Sequence, residues 1–521
     1  MRVQDQTEVK AFLADPACHG GGGPVQVVET HISAVFLAGA RAFKLKQAVH
    51  LPYADFSTPA IRLAACKKEC ALNRRTAPEL YRGVRRITRA PGGGLVFDGD
   101  GPLVDAVVEM ERFAQDDLFG RLAGHGALSE TLIRQLADGI AEAHRVASAV
   151  PDEGGAANIA GVLDINRAGF HAGHAFSEAE IDRIDGAFRA ALGRHAPLLD
   201  ARGARGCIRR CHGDLHLRNV CLFRGRPTLF DCIDFNDRLA TVDVLYDLAF
   251  MAMDLWHREH RAGANLLVNR YLDRGGAAEE DGFALMPFFM ALRAAVRAHV
   301  TATQADTAGS GEAGRLRTAA RAYADLALAM LAPRGARLVA IGGPSGSGKS
   351  TVAAELAPDL GAPPGARVLE SDRVRKAMFA VGPETRLPGA AYAPEVSDRV
   401  YAGIAERAGA LLADGASVIA AAVYDRPARR AAIAGAARAQ RVPFDGLWLE
   451  AGRQVLLARV AGREAGASDA TAQIVEAQLS RDPGEIAWRR ISTDGPLVST
   501  LDAIRQALDS APGRAGPQAR T

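Results

Sequence analysis

Lys349 stands in GGPSGSGKST (342–351), a run with the spacing GxxxxGK[ST] that follows the apolar stretch LVAIG. Glycines at these intervals let the backbone curl until successive amide N–H groups face one anion. Lys349 adds a point charge for the outer phosphates, and the Ser350 hydroxyl suits a magnesium ion. Gly343, Pro344, Ser345, Gly346, Ser347, Gly348, Lys349, Ser350 and Thr351 are the expected cradle for a triphosphate. Upstream, HGDLHLRN (212–219) sets Asp214 five residues before Asn219. A carboxylate that meets an acceptor hydroxyl, with a magnesium-binding amide one loop turn away, is what phosphoryl transfer needs. The chain carries two phosphate-handling signatures of unrelated design.

Each signature has companions. After the phosphate loop comes VLESDRVRKAMF, with Asp372, Arg373, Arg375 and Lys376 at the end of an apolar strand. Asp372 could take the proton of an incoming hydroxyl, and an arginine could hold an anionic acceptor. This layout resembles the small P-loop kinases that phosphorylate sugars, nucleosides or nucleic-acid ends, including the zeta-toxin and polynucleotide-kinase branches. The resemblance runs over 338–505 and takes in ASVIAAAV (416–423), DGLWLEA (445–451) and LLARVAGREAGASDA (456–470). Arg459 and Arg463, four apart on one helix face, are read either as lid arginines that neutralise transferring charge or as solvated helix residues. Relatives carry an acid within the strand that here reads SVIAAAV, where Ala421 stands; Asp425 lies beyond the strand.

After HGDLHLRN, LFDCIDFND (229–237) supplies Asp231 and Asp234, then VDVLYDLAFMAMDL supplies Asp243 and Asp247. HGD-x4-N, ID and YDLA in this order resemble the aminoglycoside phosphotransferase family, a branch of the protein-kinase-like fold, over about 25–330. The resemblance implies Asp214 as catalytic base and Asn219 and Asp234 as magnesium ligands. Asp234 is preferred to Asp231 for its family match and flanking strand. His212 would brace the loop, Asp247 would hold it by hydrogen bonds, and His216 would sit near the γ-phosphate. Lys44 or Lys46, on one strand face in AFKLK, would grip the α- and β-phosphates, with Glu69 as ion-pair partner. VVEMERF (107–113) resembles the hinge whose backbone at Glu109 to Glu111 meets adenine. The whole chain resembles a bacterial family of fused proteins with these two parts.

The elements that must position these groups follow from periodicity. Residues 25–47 alternate as strands, and a helix opened by Ser57 or Thr58 runs to about Leu80. Short strands then surround RGVRRITRA, GLVFDG and LVDAVVEMERF. Residues 116–330 read as mainly helical, interrupted by loop and strand at 207–236, with 303–315 a polar, Gly-rich loop between two helices. From 338 strands and helices alternate, as a parallel sheet with crossover helices requires. The expected architecture is an α+β bilobal protein-kinase-like domain at 25–331 and an α/β P-loop domain at 338–510. Residues 1–24 read as an irregular segment with a flexible Gly20–Gly23 connector, 332–337 as a linker, and 511–521 as a disordered tail.

Composition narrows the function classes. The 521 residues carry 63 basic and 60 acidic side chains, a net charge of +3 that offers little attraction for nucleic acid or anionic membrane. No membrane span or secretion signal is evident, which reads as cytoplasmic. Seven cysteines, an odd number, fit a disulfide framework poorly. Cys207, Cys211, Cys221 and Cys232, like Cys66 and Cys70, read as small buried thiols, because paired C-x2-C zinc spacing is missing. The expectation is a bifunctional kinase that uses ATP and Mg2+ on small hydroxyl compounds. Alternatives are one active half with a regulatory P-loop module, or a polynucleotide end kinase.

Overall fold

β-Branched and aromatic alternation at 25–47 forms three strands, Gln26–Glu29, Ser33–Ala38 and Arg41–Lys46, in the computed structural model, which describes residues 3–21, 23–30, 32–51, 54–150, 154–275, 277–462 and 468–509. With Tyr81–Arg89, Leu95–Phe97 and Leu103–Glu111 they build an antiparallel six-stranded sheet, in which Arg41–Lys46 pairs with both Ser33–Ala38 and Leu103–Glu111. Thr58 caps the helix Pro59–Asn73, its hydroxyl accepting from the Ile61 amide at 3.3 Å. The helix stops at Asn73, short of the expected Leu80, where the chain turns through Arg74–Thr76 and meets Pro78. One face packs Cys66 and Cys70 against Ala106 and Val108 of the sheet.

The N-terminal segment is more ordered than its sequence suggests. Thr7–Ala14 is helical, and buried Gln6 donates to Lys46 O at 3.0 Å and to Asp105 at 2.8 Å. Arg62, wholly buried, makes a two-pronged bond to the same Asp105 at 2.8 and 2.9 Å. Residues 303–315 also depart from expectation: two helices, Met286–Thr307 and Ser310–Leu331, meet in a turn of only two residues. Gln304, Asp306 and Thr307 extend the first helix because Ala302 and Ala305 give it a buried face. All seven cysteines are free, six of them buried, as expected of small core thiols. The stretch Asp281–Thr307 is long and apolar enough to cross a membrane, yet 72% of its apolar window is buried within the protein.

The chain divides into two compact units, one of Met1–Val162 with His195–Arg258, the other of Leu163–Arg194 with Glu259–Thr521. The expected cut at 332–337 is therefore not where packing divides: helix Arg261–Gly275 belongs to the unit that holds the P-loop sheet. That sheet has five parallel strands, in the order Arg367–Glu370, Val418–Ala421, Leu338–Gly342, Phe444–Glu450 and Arg489–Ser492. Their tips deliver the P-loop and the residues facing it. The tail 511–521 lies outside the described residues.

Buried charge ties the edge strand to that helix. Arg367, 1% exposed, meets Asp273 at 2.7 Å and Glu280 at 2.8 Å, and Arg407 takes the other side of Glu280 at 2.6 Å. Asn269 Oδ1 accepts from the Val368 amide at 2.8 Å, and Asn265 donates to Pro364 O and Ala366 O at 3.0 Å. Burial alone would push Glu280 up, but Arg367 and Arg407 hold its carboxyl down at about 2. Replacing Arg367 by Met leaves Asp273 with Arg373 and Glu280 with Arg407 as their remaining counter-charges, and we expect the P-loop unit to lose about 3 kcal/mol. Denaturant titration of Trp448 and Trp488 fluorescence in a Trp256→Phe background measures it. Because Glu280 has a depressed folded value, its contribution is complete above the ordinary glutamate range and fades as pH falls toward about 2. The Arg367→Met protein should therefore lose less stability on acidification than the parent.

Candidate active sites in the two units

In the first unit, a cavity of about 480 Å³ gathers Lys44, Lys46, Asp214, Asn219, Asp231 and Asp234 on one lining. Period two on strand Arg41–Lys46 aims both lysines the same way, and both reach Glu69 on the neighbouring helix. Lys46 bridges Glu69 and Asp234, each at 2.7 Å, while Lys44 reaches Glu69 at 2.9 Å and also pairs with Asp231. Burial would push Glu69 up, yet the two ammonium groups hold it down at about 2. Asp234 is raised by burial and by Glu69, against the pull of Lys46.

The loop carrying Asp214 is held by an acid 33 residues on in sequence. Asp247, fully buried, accepts from the Gly213 amide at 2.8 Å, the His212 amide at 3.2 Å and His144 Nε2 at 3.1 Å. Gly213 has φ +84°, and a Cβ there would sit 3.0 Å from Ala240 and Ile233, so only glycine fits. His212 Nε2 lies 2.9 Å from Phe230 O, bracing the two loops as expected. Asn219 Nδ2 donates to Asp214 Oδ2 at 2.9 Å, which orients the amide and leaves its oxygen as the ligand atom for a cation. His216 Nε2 stands 3.4 Å from Asp214 Oδ2.

Several supports escaped the sequence reading. Asp254 accepts from the Leu217 amide at 3.1 Å; it lies seven residues after Asp247, two turns along the same helix face, which is the signal that could have found it. Asn73 Oδ1 accepts from the Cys232 amide at 2.9 Å, and the Tyr81 hydroxyl from the Asp231 amide at 3.1 Å. His144 has no comparable local signature. The adenine-hinge expectation is corrected at one end. Glu109 is drawn aside by Arg85, Arg82 and Arg41 and does not line the cavity, whereas Met110, Glu111, Arg112 and Phe113 do.

In the second unit, a cavity of about 210 Å³ is lined by Ser345, Gly346, Gly348, Lys349, Ser350 and Thr351 together with Glu370 and Asp372. Gly343 has φ +131°, and a Cβ on it would strike Leu449 O at 2.3 Å. Lys349 Nζ donates to Gly343 O at 3.0 Å and Pro344 O at 2.8 Å, closing the loop on itself. Ser347 is buried behind it. Asp372 falls in the first turn of helix Ser371–Met378 rather than on the strand. Burial pushes its carboxyl up and Glu370 adds to this, against the Ser468 hydroxyl and Lys349.

Ala421 lines this cavity, and the residue facing it across the ladder is Glu370. An acid thus stands one strand over from where the sequence lacks one. Three expected groups go elsewhere. Arg459 donates to Thr493 O at 2.6 Å and does not line the cavity. Arg373 is pulled to Asp273 at 2.8 Å and Glu370 at 2.6 Å, away from an acceptor. Lys376, buried, donates to Pro383 O at 2.9 Å. Arg463 lies outside the described residues. Arg375, Arg429 and Arg481 do line the cavity, and Asp425 joins them.

Comparisons with known proteins follow this division. Residues 98–286 match the family described as "Phosphotransferase enzyme family", and 338–482 match an "AAA domain". A choline/ethanolamine kinase family protein from Mesorhizobium loti is 16% identical, covering 62% of this chain and 98% of its own, with a TM-score of 0.37. A sugar kinase from Janibacter is 22% identical over 34% of this chain and 96% of its own, with a TM-score of 0.25. An uncharacterized protein of Mycobacterium tuberculosis is 30% identical over 483 residues, 91% of this chain and 93% of that one. With so long a match, the chain belongs to the family of that mycobacterial protein, and its two matched segments make it an ATP-dependent kinase that joins a phosphotransferase part to a P-loop part.

Proposed function

We propose that the protein is bifunctional, each unit passing the γ-phosphoryl of ATP to a hydroxyl of a small molecule. The observation that carries this reading is that each cavity has its own phosphate-binding cation and its own carboxylate, Lys44 or Lys46 with Asp214 in one and Lys349 with Asp372 in the other. In both, the acceptor oxygen forms a bond to the γ-phosphorus while the bond to the bridging oxygen of ADP breaks, and the carboxylate receives the hydroxyl proton. Positioning and charge neutralisation supply most of the acceleration.

The donor sets suit a hard cation: Asn219 and Asp234 would hold magnesium in the first cavity, Ser350 and Glu370 in the second. Bound with ATP, that ion draws charge from the β- and γ-phosphates. The acceptors on this reading are neutral or anionic metabolites rather than nucleic acid, in keeping with a near-neutral chain.

A second reading, in which the P-loop unit binds ATP only to regulate, is favoured by Ala421. Variants separate the two. Asp214→Asn should lower one phosphotransferase activity about 100- to 10,000-fold and leave a Lys349-dependent one intact, with Lys349→Ala doing the reverse. ATP consumption against pooled hydroxyl metabolites is the assay. Uptake of ATP without turnover in the Asp214→Asn protein would instead support the regulatory reading.

Acidity gives a further check. Because burial raises Asp372, the base is lost to protonation at a higher pH than an ordinary aspartate would be. The acid limb of kcat/KM for the Lys349-dependent activity should accordingly lie above the usual aspartate range. A limb at or below that range would remove Asp372 from the role.

A further inference from the structure

The second unit holds another cavity, of about 500 Å³, that no residue of the phosphate loop lines. It lies against the edge strand Arg367–Glu370, between the helices Arg261–Gly275, Ser371–Met378 and Pro394–Ala413. Its wall is largely apolar: Leu272, Val374, Met378 and Val381 border it, and Ala402 and Gly403 leave room that larger side chains would fill. Met378 is 40% exposed, so this apolar space opens to water. Such a size, with an apolar wall and a few charged groups, is the character of a small-molecule site.

The charges around it fall into two sets. Arg367, Arg373 and Arg407 are neutralised by Asp273, Glu280 and Glu370. Arg399 and Glu406 are exposed, and neither side chain has an ion pair or hydrogen bond among the described residues. Seven residues apart on one helix, these two share a face and stand about 10 Å apart along its axis. Arg407, beside Glu406, shares Glu280 with Arg367 at the start of the strand, while Ser397, beside Arg399, accepts from Arg375 at 3.3 Å. The Arg399 end therefore lies toward Glu370 and Arg373, and the Glu406 end away from them. A ligand with one negative group and an apolar body matches this layout; a second negative group at the far end would meet Glu406.

Glu370 borders both this cavity and the P-loop cavity, and its Oε2 lies 2.6 Å from Arg373 Nε. Arg373 borders only the former and also holds Asp273 at 2.8 Å. An anion that engages Arg373 competes with Glu370 for it and leaves the Glu370 carboxylate freer for a cation beside the phosphates. We propose that this cavity binds a small amphipathic monoanion, a carboxylate on an apolar body, with its head at Arg399 and Arg373. Its occupancy strengthens the binding of magnesium nucleotide at the P-loop through Glu370. That link rests on Glu370 being a magnesium ligand; the site itself does not.

The test titrates octanoate into the full-length protein by calorimetry, with octanamide as the neutral control and suberate as the dianion. Octanoate should bind at least about tenfold more tightly than either, and Arg399→Gln should weaken it by a similar factor. In Gly403→Leu, where an added Cβ meets no atom within 4 Å, the new side chain should fill the space and abolish binding with the helix intact. The P-loop's own AMPPNP isotherm is the one lost in Lys349→Ala. Saturating octanoate should raise that magnesium–AMPPNP affinity about fivefold or more in the parent and leave it unchanged in Gly403→Leu. Octanoate binding absent from the parent, or undiminished in Gly403→Leu, would overturn the site. Octanamide bound as tightly as octanoate would overturn its anionic character, and unaltered AMPPNP affinity would overturn the link. If Glu370→Gln leaves magnesium–AMPPNP binding as it was, Glu370 is no magnesium ligand, and octanoate binding lost in Gly403→Leu still upholds the site.

Discussion

A carboxylate sealed from water keeps its charge only when donors surround it, and the first unit turns that requirement into architecture. Asp247 draws the backbone amides of His212 and Gly213 to it, alongside His144, and that backbone is the start of the loop bearing Asp214. The loop is therefore shaped by the needs of an acid that never meets substrate. The same logic continues outward: Asp254 accepts from the Leu217 amide, His212 Nε2 donates to Phe230 O, and Asn73 accepts from the Cys232 amide. Two loops far apart in sequence are locked by hydrogen bonds whose removal would strand a polar group.

The P-loop unit solves the same problem with ion pairs. Arg367 opens the edge strand that ends at Glu370, and Asp273 joins Arg367 to Arg373 on the helix that follows. The turn between them, which presents Glu370 and Asp372 to the cavity, is thus gripped from behind on both sides. Arg373 serves the frame, and Arg375, two residues later, serves the cavity. Two steps of about 100° along the helix turn the two arginines to different sides.

Much of this was legible in the sequence because the chemistry demands it locally. In the first unit Asp214, Asn219, Asp234 and the paired lysines line one cavity as their types and order imply, and in the second the P-loop residues line another. Legibility failed where partners are remote. Nothing around Arg459 announces that Thr493 will claim it, and nothing around Glu109 announces three arginines from two other strands. Ala421 is a different case: Glu370 stands opposite it on the neighbouring strand, and register is invisible before the sheet is assembled. The polar run at 303–315 read as a loop from composition, but burial of two alanines outweighed its weak helical preference.

Helix Arg261–Gly275 lies in a segment that matches the phosphotransferase family, yet its Asn265, Asn269 and Asp273 support the edge strand of the P-loop sheet. Ancestry and cohesion part company there. A recombination event that cut at the apparent seam near 335 would carry away a P-loop fragment with Arg367 bared and its carboxylates left behind. A P-loop part severed there would lose the counter-charges of its edge strand, so the border drawn by the sequence is not one at which the polypeptide can be divided.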